Sequence, residues 1–306
     1  MVRMLCVGSV NMDLVISLQD RAPAAGETVF GTDYTYVPGG KGANQAVAAA
    51  RMGGQVTFLG RVGDDDNGRS LRATMEADGI DTRLLGVSDR PTGLAPIQVE
   101  PNGQNRIIVI SGANMTLTAA DVTAAFDAGE YDCVLVGLEV PLEAVEATCR
   151  EGAARGIPVI LDAGPAMKLN LAPLQGLTVL SPNETEAEAI TGITVTDQAA
   201  ALEAARWMDE RCHPEYVVIK MGSQGSFVYG KGLAQMVPSF KCKAVDSTAA
   251  GDCFTAVLAL ELVSGGDILA AARYASAAAA ISVTRHGAQP SLPKRDEVDA
   301  WLTQQA

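Results

Sequence analysis

The stretch KAVDSTAAGDCFTAVLALELVSGG, residues 243–266, decides the fold and contains the strongest candidate for chemistry. Just before it, the alternating residues 240–244 predict a strand with one buried face. A helix is expected from about Ala249, and residues 252–263 are apolar nearly all round. A helix with this pattern is buried, so its N-terminal amides face either protein or a cleft.

The beginning of this helix is a candidate phosphate site. Ala249, Ala250 and Gly251 are small enough for an anion to approach their N–H groups, where the helix dipole is positive. Asp252 lies in the first turn, and the same dipole is expected to keep it ionised. An alternative explains the same residues equally well: Asp252 only complements the helix dipole, and Gly251 only permits a tight turn.

Composition narrows the class of protein. The chain has 306 residues, of which 48% are hydrophobic, so it can bury a large α/β core. A net charge of −13 without a basic block argues against nucleic-acid and membrane-surface partners. No apolar run has membrane-spanning length, and six cysteines without metal-type spacing are interpreted as reduced core thiols of a cytoplasmic protein.

Polar residues follow the first buried strand, which is predicted at residues 4–10. Asn11 and Asp13 come at its C-terminal end, where open α/β sheets bind ligands. An amide and a carboxylate together can donate to and accept from neighbouring hydroxyl groups. A plain turn stabilised by these side chains is the alternative interpretation.

The segment GGKGAN at 39–44 opens an alanine-rich helix but fits neither familiar nucleotide motif. A Walker A loop requires Ser or Thr where Gly42 stands, and the dinucleotide fingerprint requires Gly where Gln45 stands. A flexible loop remains that carries Lys41 and Asn44 and suits a small polyol as well as an anion. It can also be a glycine-rich loop without a function.

Two β-rich segments, about 14–38 and 92–111, interrupt the β/α order. The second contains Asn102-Gly103 between two β-rich runs, which is a strong hairpin signal. We expect a small sheet that forms a lid or pairs with another subunit. An exposed apolar sheet face requires cover, which favours a homodimer formed through the lid.

Elsewhere strands and helices alternate. Strands are predicted at 133–138, 158–162, 177–180 and 216–220 with helices between them. This order predicts a mainly parallel sheet with helices on both faces, and 1–306 as a single domain.

Polar residues follow several of these strands, among them Glu139 and Asp162. Asn183 with Glu186 three residues later is typical of a capping box. The same pair predicts an outer-shell contact to hydrated Mg²⁺ and nucleotide phosphates, because magnesium keeps several waters. Residues 64–66 are interpreted as helix capping rather than as a metal site.

Five segments taken together resemble the ribokinase-like family of carbohydrate kinases, and they occur in the order that the family has. They are Asn11 with Asp13, GGKGANQAVAAAR at 39–51, PNETEAE at 182–188, DSTAAGD at 246–252 and TRHGAQPS at 284–291. The resemblance covers essentially the whole chain. It implies a three-layer α/β sandwich with a mainly parallel central sheet and a small β lid.

The resemblance also implies an activity, namely transfer of the γ-phosphate of ATP to the 5-hydroxyl of D-ribose with Mg²⁺ and a K⁺ activator. Another small sugar or nucleoside (2-deoxyribose, fructose, a keto-deoxy acid or adenosine) is the alternative acceptor. A sugar sensor without activity would be expected to have lost Asp252, Gly251 or Asn183, and all three are present. A dinucleotide oxidoreductase lacks support because the glycine fingerprint fails.

Roles for individual residues follow from the same resemblance. The catalytic set has Asp252 as the base and an anion hole formed by the N–H groups of Ala249, Ala250 and Gly251. The sugar would be bound by Asn11, Asp13, Gly39, Gly40, Lys41, Asn44 and Glu139, beside Asp252. The nucleotide would be bound by Asn183, Glu186, Lys220, Gly222, Ser223, Gly225, Gly251 and Ser276. The monovalent cation would be bound by Asp246, Thr248, Ser282, Arg285, Gly287 and Ser291.

Three residues depart from the family pattern. Ser247 replaces a threonine and Ala249 replaces a glycine in the segment DSTAAGD. Met12, between the two sugar residues, is bulkier than the pattern leads us to expect, which bears on the size of the sugar.

Overall fold

Apolar runs and helical segments alternate along the chain, and a computed structural model shows how residues 1–305 arrange them. The strands are β1 (Arg3–Val7), β2 (Asn11–Leu18), β3 (Gly31–Gly39), β4 (Gln55–Gly63), β5 (Leu85–Ser88), β6 (Gly93–Val99), β7 (Asn105–Ile107), β8 (Cys133–Gly137), β9 (Val159–Asp162), β10 (Val179–Ser181), β11 (Tyr216–Lys220), β12 (Ser226–Gly230) and β13 (Leu233–Val237). The helices are α1 (Lys41–Arg51), α2 (Asp66–Ala77), α3 (Ala119–Ala128), α4 (Leu142–Arg155), α5 (Glu184–Thr191), α6 (Gln198–Cys212), α7 (Ala250–Val263), α8 (Ile268–Ser282) and α9 (Arg295–Gln305).

Nine strands form the central sheet, in the order β13-β12-β11-β10-β9-β8-β1-β4-β5. All neighbouring pairs from β11 to β5 are parallel, and the two remaining pairs, β11 with β12 and β12 with β13, are antiparallel. Alternate residues of β1 face opposite layers, because successive side chains of a strand point to opposite faces. Met4 and Cys6 join the apolar cluster with α1, α7 and α8, whereas Leu5 and Val7 join the cluster with α3, α4 and α6.

A second sheet of four strands has the order β3-β2-β6-β7. The β2 strand runs antiparallel to β3, with Asn11 opposite Gly39, and parallel to β6, with Asn11 opposite Gly93. This sheet occupies the segments predicted for the lid, although it begins at residue 11 rather than 14. Asn11 and Asp13 are therefore strand residues of the small sheet and not part of a turn.

Several local predictions differ from the structure. Residues 240–244 form no strand, because β13 already ends at Val237 and closes that edge of the sheet. The α1 helix begins at Lys41, within the segment GGKGAN rather than after it, because the glycine loop itself provides its first turn. Cys242 is exposed, so the prediction of core thiols holds only for the other five cysteines.

One further prediction is confirmed by local geometry. Asp65 caps α2 by accepting from the Gly68 N–H at 2.8 Å, as expected for the acidic run 64–66. Among the helices in residues 1–305, we find none that combines the length and apolarity needed to cross a membrane.

Candidate active site

The candidate site lies at the carboxyl ends of the central parallel strands. The chain leaves β1 toward β2, while the neighbouring strands β4 and β8 lie on opposite sides of β1. Parallel α/β sheets bind ligands at such a reversal of strand order. The N-termini of α1 and α7 meet there, as the contact between Asn44 and Asp252 shows.

Asp252 is a buried carboxylate at this position, with 4% of its surface exposed. Asn44 Nδ2 donates to Asp252 Oδ2 at 2.9 Å, and Lys41 Nζ lies 3.7 Å from Oδ1. Asp252 Oδ1 and Asn44 Oδ1 are both buried without a hydrogen-bond partner. Buried polar atoms are normally paired, so these two acceptors indicate a ligand that brings hydroxyl donors.

Burial raises the pKa of Asp252 to about 6, and the nearby Lys41 ammonium opposes this rise. Asp162 and Glu139 raise the same pKa further by their negative charge. The pKa of Asp252 is thus set mainly by desolvation, which raises it, and by Lys41, which lowers it. The carboxylate is ionised at neutral pH with a pKa matched to a general base.

The first turn of α7 has no side-chain cap. Ala250 N donates to Ser247 O at 3.2 Å, so this amide is occupied, contrary to its predicted place in an anion hole. The amides of Ala249, Gly251 and Asp252 have no protein acceptor in the part of the chain that the structure describes. Unpaired amides at a helix N-terminus attract anions.

Ala249 has a left-handed backbone, with φ 60° and ψ 5°. This conformation costs about 1–2 kcal/mol for a residue with a Cβ. The family pattern has glycine at this position, and glycine adopts the left-handed conformation without this cost. Ala249 departs from the pattern but keeps the same turn, under strain. The strain lies directly beside the unpaired amides.

Asn11 and Asp13 lie on the same face of β2, two residues apart. Met12 points to the other face and is buried in the apolar core, so it does not narrow the space beside them. The Asp13 carboxylate lies against Gly39, where an added Cβ would come within 2.2 Å of Oδ2. Burial, followed by the charges of Glu139 and Asp252, raises the pKa of Asp13 to about 7.

Asn114 is a buried residue of this site that sequence reasoning missed. Its Nδ2 donates to Asn11 Oδ1 at 2.7 Å, and its Oδ1 accepts from Val10 N at 3.0 Å. Asn114 thereby fixes the amide of Asn11 with its donor end free. No motif marks Asn114, since it lies in a short 3-10 helix at Gly112–Thr116, 103 positions further along the chain than Asn11.

Glu139 holds the glycine loop in place. Its Oε2 accepts from Ser9 Oγ at 2.5 Å and from Lys41 N at 3.2 Å. Gly40 has φ 88°, which a residue with a side chain rarely adopts. Gly42 packs on Gly8 so closely that an added Cβ would lie 2.7 Å from Gly8 Cα. The glycines of this loop thus allow close packing of the backbone against the end of β1. This role differs from that of the glycines in the two nucleotide motifs, which the segment does not fit.

Asn183 and Glu186 form the predicted capping box of α5. Asn183 Oδ1 accepts from Glu186 N at 2.8 Å, and Glu186 Oε2 accepts from Asn183 N at 2.7 Å. A Cβ on Gly164 would lie 2.6 Å from Glu186 Oε1 and 2.8 Å from Lys41 Nζ, so both groups reach the same point. One carboxylate oxygen remains free, which fits a hydrated Mg²⁺ that also binds phosphate oxygens.

The remaining residues predicted for the nucleotide lie near the end of β11 and in α8. Gly222, Ser223 and Gly225 belong to the turn between β11 and β12, and Ser276 lies in the middle of α8. Lys220 Nζ already donates to Asp162 Oδ2, Ser181 O and Thr255 Oγ1 at 2.7, 3.0 and 3.2 Å. Because an ammonium has three donors, none is left for a nucleotide.

The residues predicted for the monovalent cation lie in two facing loops. Asp246 Oδ1 accepts from Thr248 N at 2.9 Å, and Asp246 Oδ2 accepts from Gly287 N at 2.9 Å. The hydroxyls of Ser282 and Ser291 are buried 2.9 Å apart at the base of the second loop. The Arg285 side chain pairs with Glu297 instead, so only its backbone can serve a cation. These loops offer carbonyl and hydroxyl oxygens, which suit K⁺.

Known proteins match both the chain and the fold. The pfkB family of carbohydrate kinases matches residues 1–295. A ribokinase of Haemophilus influenzae is 40% identical over 298 residues, which are 97% of each chain. A ribokinase of Bacillus subtilis is 40% identical over 98% of this chain and 100% of its own. The structure of Arabidopsis thaliana ribokinase with ribose and ATP superposes with a TM-score of 0.88, at 31% identity and 98% coverage of both chains.

The chain therefore belongs to the pfkB family of carbohydrate kinases. The family resemblance and the three-layer fold predicted from the sequence are both confirmed. The roles of individual residues remain predictions.

Proposed function

We propose that the protein transfers the γ-phosphate of ATP to the 5-hydroxyl of D-ribose and releases ribose 5-phosphate and ADP. The observation that carries this proposal is the pair of buried acceptors without partners, Asp252 Oδ1 and Asn44 Oδ1, beside the uncapped start of α7. A hydroxyl placed there contacts a base on one side and an anion site on the other. Relatives named ribokinase support the choice of sugar.

The proton of the sugar hydroxyl passes to Asp252 Oδ1 as the oxygen attacks the phosphorus. Asn44 holds the other carboxylate oxygen, and Lys41 at 3.7 Å offsets the charge. The unpaired amides of Ala249, Gly251 and Asp252 would face the phosphoryl group as its charge is redistributed. A donor of this kind contributes about 3–4 kcal/mol to transition-state stabilisation. Phosphoryl transfer requires such positioning more than it requires covalent catalysis.

Two cations belong to the proposal. A hydrated Mg²⁺ would be held by the phosphates and, through its waters, by Glu186, whose Oε2 accepts from Asn183 N and whose Oε1 remains available; when bound, it would supply positive charge to the triphosphate. K⁺ would be held by oxygens of the loop that contains Asp246, which precedes α7 in sequence, and of the loop that contains Gly287, whose N–H donates to Asp246. A cation there stiffens the loop that orients the unpaired amides.

Ribose is favoured over 2-deoxyribose by Asn11. Asn114 donates to Asn11 Oδ1. Within the described part of the chain the Nδ2 donor of Asn11 has no partner, so it is available to a sugar hydroxyl. An acceptor without this hydroxyl would leave a buried donor unpaired, and sites of this type reject such analogues. The same reasoning gives Asp13 the neighbouring hydroxyl.

An assay of ADP release with ribose, 2-deoxyribose, fructose, a keto-deoxy acid and adenosine tests the acceptor. We expect ribose to have the highest kcat/KM, at least about 10-fold above 2-deoxyribose. Equal or better turnover of adenosine or fructose would move the assignment to another member of the family.

The monovalent cation is tested in the same assay. Each acceptor is measured in K⁺ and in Na⁺ at constant ionic strength, and equal rates in the two salts would contradict the cation site.

The pH dependence follows from the two raised pKa values. Asp252 must be ionised, so kcat/KM for ribose is expected to rise with pH through about 6 and level off above 7. The folded protein without sugar favours the neutral carboxyls. The contribution of Asp252 and Asp13 to the free energy of unfolding is therefore fully present below their ordinary pKa of 3.8. It is lost as the pH rises through their raised pKa values of about 6 and 7. Initial rates and thermal unfolding across this range measure both effects, and a flat rate profile would exclude Asp252 as the base.

We further propose that residues 1–306 act as one kinase domain in the cytoplasm, as a homodimer joined through the four-stranded sheet. Tyr34 and Tyr36 on β3 are 65% and 54% exposed, and residues 107–110 at the other edge are about equally exposed. Apolar surface of this extent favours a partner. Free thiols at all six cysteines support a reducing compartment. A solution mass equal to one chain of 31.7 kDa would contradict the dimer.

A further inference from the structure

A buried polar cluster lies directly behind the start of α7, outside the surfaces assigned to sugar and cations. Asp162, Lys220 and Thr255 are 1%, 9% and 0% exposed. Thr255 Oγ1 lies 2.6 Å from Asp162 Oδ2 and 3.2 Å from Lys220 Nζ, so the three side chains bond one another in a closed ring.

This cluster joins three strands to one helix. Asp162 ends β9, Ser181 ends β10 and Lys220 ends β11, and the single ammonium of Lys220 donates to the first two. Its third donor reaches Thr255 of α7. Lys220 therefore links α7 to the carboxyl ends of β9, β10 and β11.

The connection continues to the candidate anion hole. Thr255 Oγ1 also lies 3.0 Å from the carbonyl oxygen of Gly251. A Cβ built on Gly251 would be 3.9 Å from Lys220 Nζ, so the ammonium lies near the residue that carries this unpaired amide. A shift of Lys220 would displace that amide and would remove a positive charge from its vicinity.

Stability gives no reason for this ion pair. A buried ion pair contributes little net stability, because desolvation of both ions offsets their attraction, and apolar residues of equal volume often serve as well. Asp162 nevertheless keeps its charge, since the Lys220 and Lys41 ammonium groups lower its pKa despite complete burial. This ion pair is connected through Thr255 to the turn where phosphate would bind. A role in positioning that turn explains the pair better than a role in stability.

We propose that Asp162, Thr255 and Lys220 are positioning residues for phosphoryl transfer, which orient the first turn of α7 and fix a positive charge behind it without touching either substrate. The inference rests on the proposed kinase activity and adds three residues to its machinery.

The decisive variant is the double substitution Asp162→Asn with Lys220→Met, which removes both charges and keeps the volume. We expect its thermal midpoint to stay near that of the wild type, with kcat for ribose reduced about 10-fold or more and KM for ribose changed less than about 3-fold. The single variant Lys220→Met leaves Asp162 buried without a partner and is expected to lose both stability and kcat. A purely structural role predicts that the double variant regains kcat together with stability.

Thr255→Val serves as the second variant, since it removes one hydroxyl and preserves both charges. We expect a folded protein with kcat lowered about 5-fold or more and an unchanged KM. Lys231→Met is the matched control, because Lys231 pairs with Glu215 at 2.5 Å on the surface, and it should keep the wild-type kcat. Wild-type kcat in Thr255→Val, or in a folded double variant, would overturn the inference. Absence of ribose turnover in the wild-type protein would instead overturn the proposed function.

Discussion

Replacement of Asp252 by Asn is expected to lower kcat for ribose phosphorylation by about 10²-fold or more, while the affinity for ribose changes little. Asn has the same shape and can keep the contact that Asn44 makes at 2.9 Å, but it cannot accept the proton of the attacking hydroxyl. Loss of a general base typically reduces the rate by about 10²–10⁴-fold. Steady-state rates, with ribose binding measured by calorimetry, separate the two quantities.

The control for this variant is Asp66→Asn. Asp66 is also an acidic residue in the first turn of a helix, α2, but it is exposed on the surface. If Asp252 only complemented a helix dipole, the two substitutions would have similar small effects. Near wild-type turnover in Asp252→Asn would remove the residue from the proposed mechanism. The thermal midpoint above pH 7 should not fall, because the substitution removes a carboxylate whose charge is buried.

Replacement of Gly42 by Ala is expected to have the second largest effect. The new Cβ would lie 2.7 Å from Gly8 Cα, from the Gly8 carbonyl carbon and from Ser9 N, all of which are backbone atoms. Because no flexible side chain can move aside, α1 must shift away from the end of β1. Overpacking of this kind costs about 1–3 kcal/mol of unfolding free energy.

The catalytic consequence should exceed the loss of stability. A shift of α1 displaces Lys41 and Asn44, which hold Asp252, and a misplacement of about 1 Å can reduce the rate about 10²-fold. Ala50→Gly in the last turn of the same helix is the control, with an expected loss of about 1 kcal/mol and an unchanged kcat/KM. Unfolding curves and kcat/KM for both variants test the prediction. Equal activity in Gly42→Ala and in the wild type would show that the close contact with Gly8 is not required.

Patterns local to the chain predicted much of the architecture. The strands at 133–138, 158–162 and 216–220 agree with β8, β9 and β11 within one or two residues. The capping box at Asn183 and the buried helix after residue 249 were also correct. Such features depend on residues a few positions apart, so a single segment contains the information that produces them.

Local pattern failed where a neighbour in space decides the outcome. The alternation at 240–244 is typical of a strand, but the edge of the sheet is already occupied by β13, and the segment runs on as a loop whose end, at Val245, bonds to Val283. Met12 is adjacent to the sugar residues in sequence, yet the pleat of β2 turns it into the core.

For this protein the sequence alone determined the order of strands and helices, the family and the identity of the polar residues at the strand ends. Only the tertiary structure decided which of those residues meet. It joined Asn114 to Asn11 and Lys220 to Asp162, pairs that are 103 and 58 positions apart. It also raised the pKa of Asp252, because desolvation depends on how closely the rest of the chain surrounds a charge.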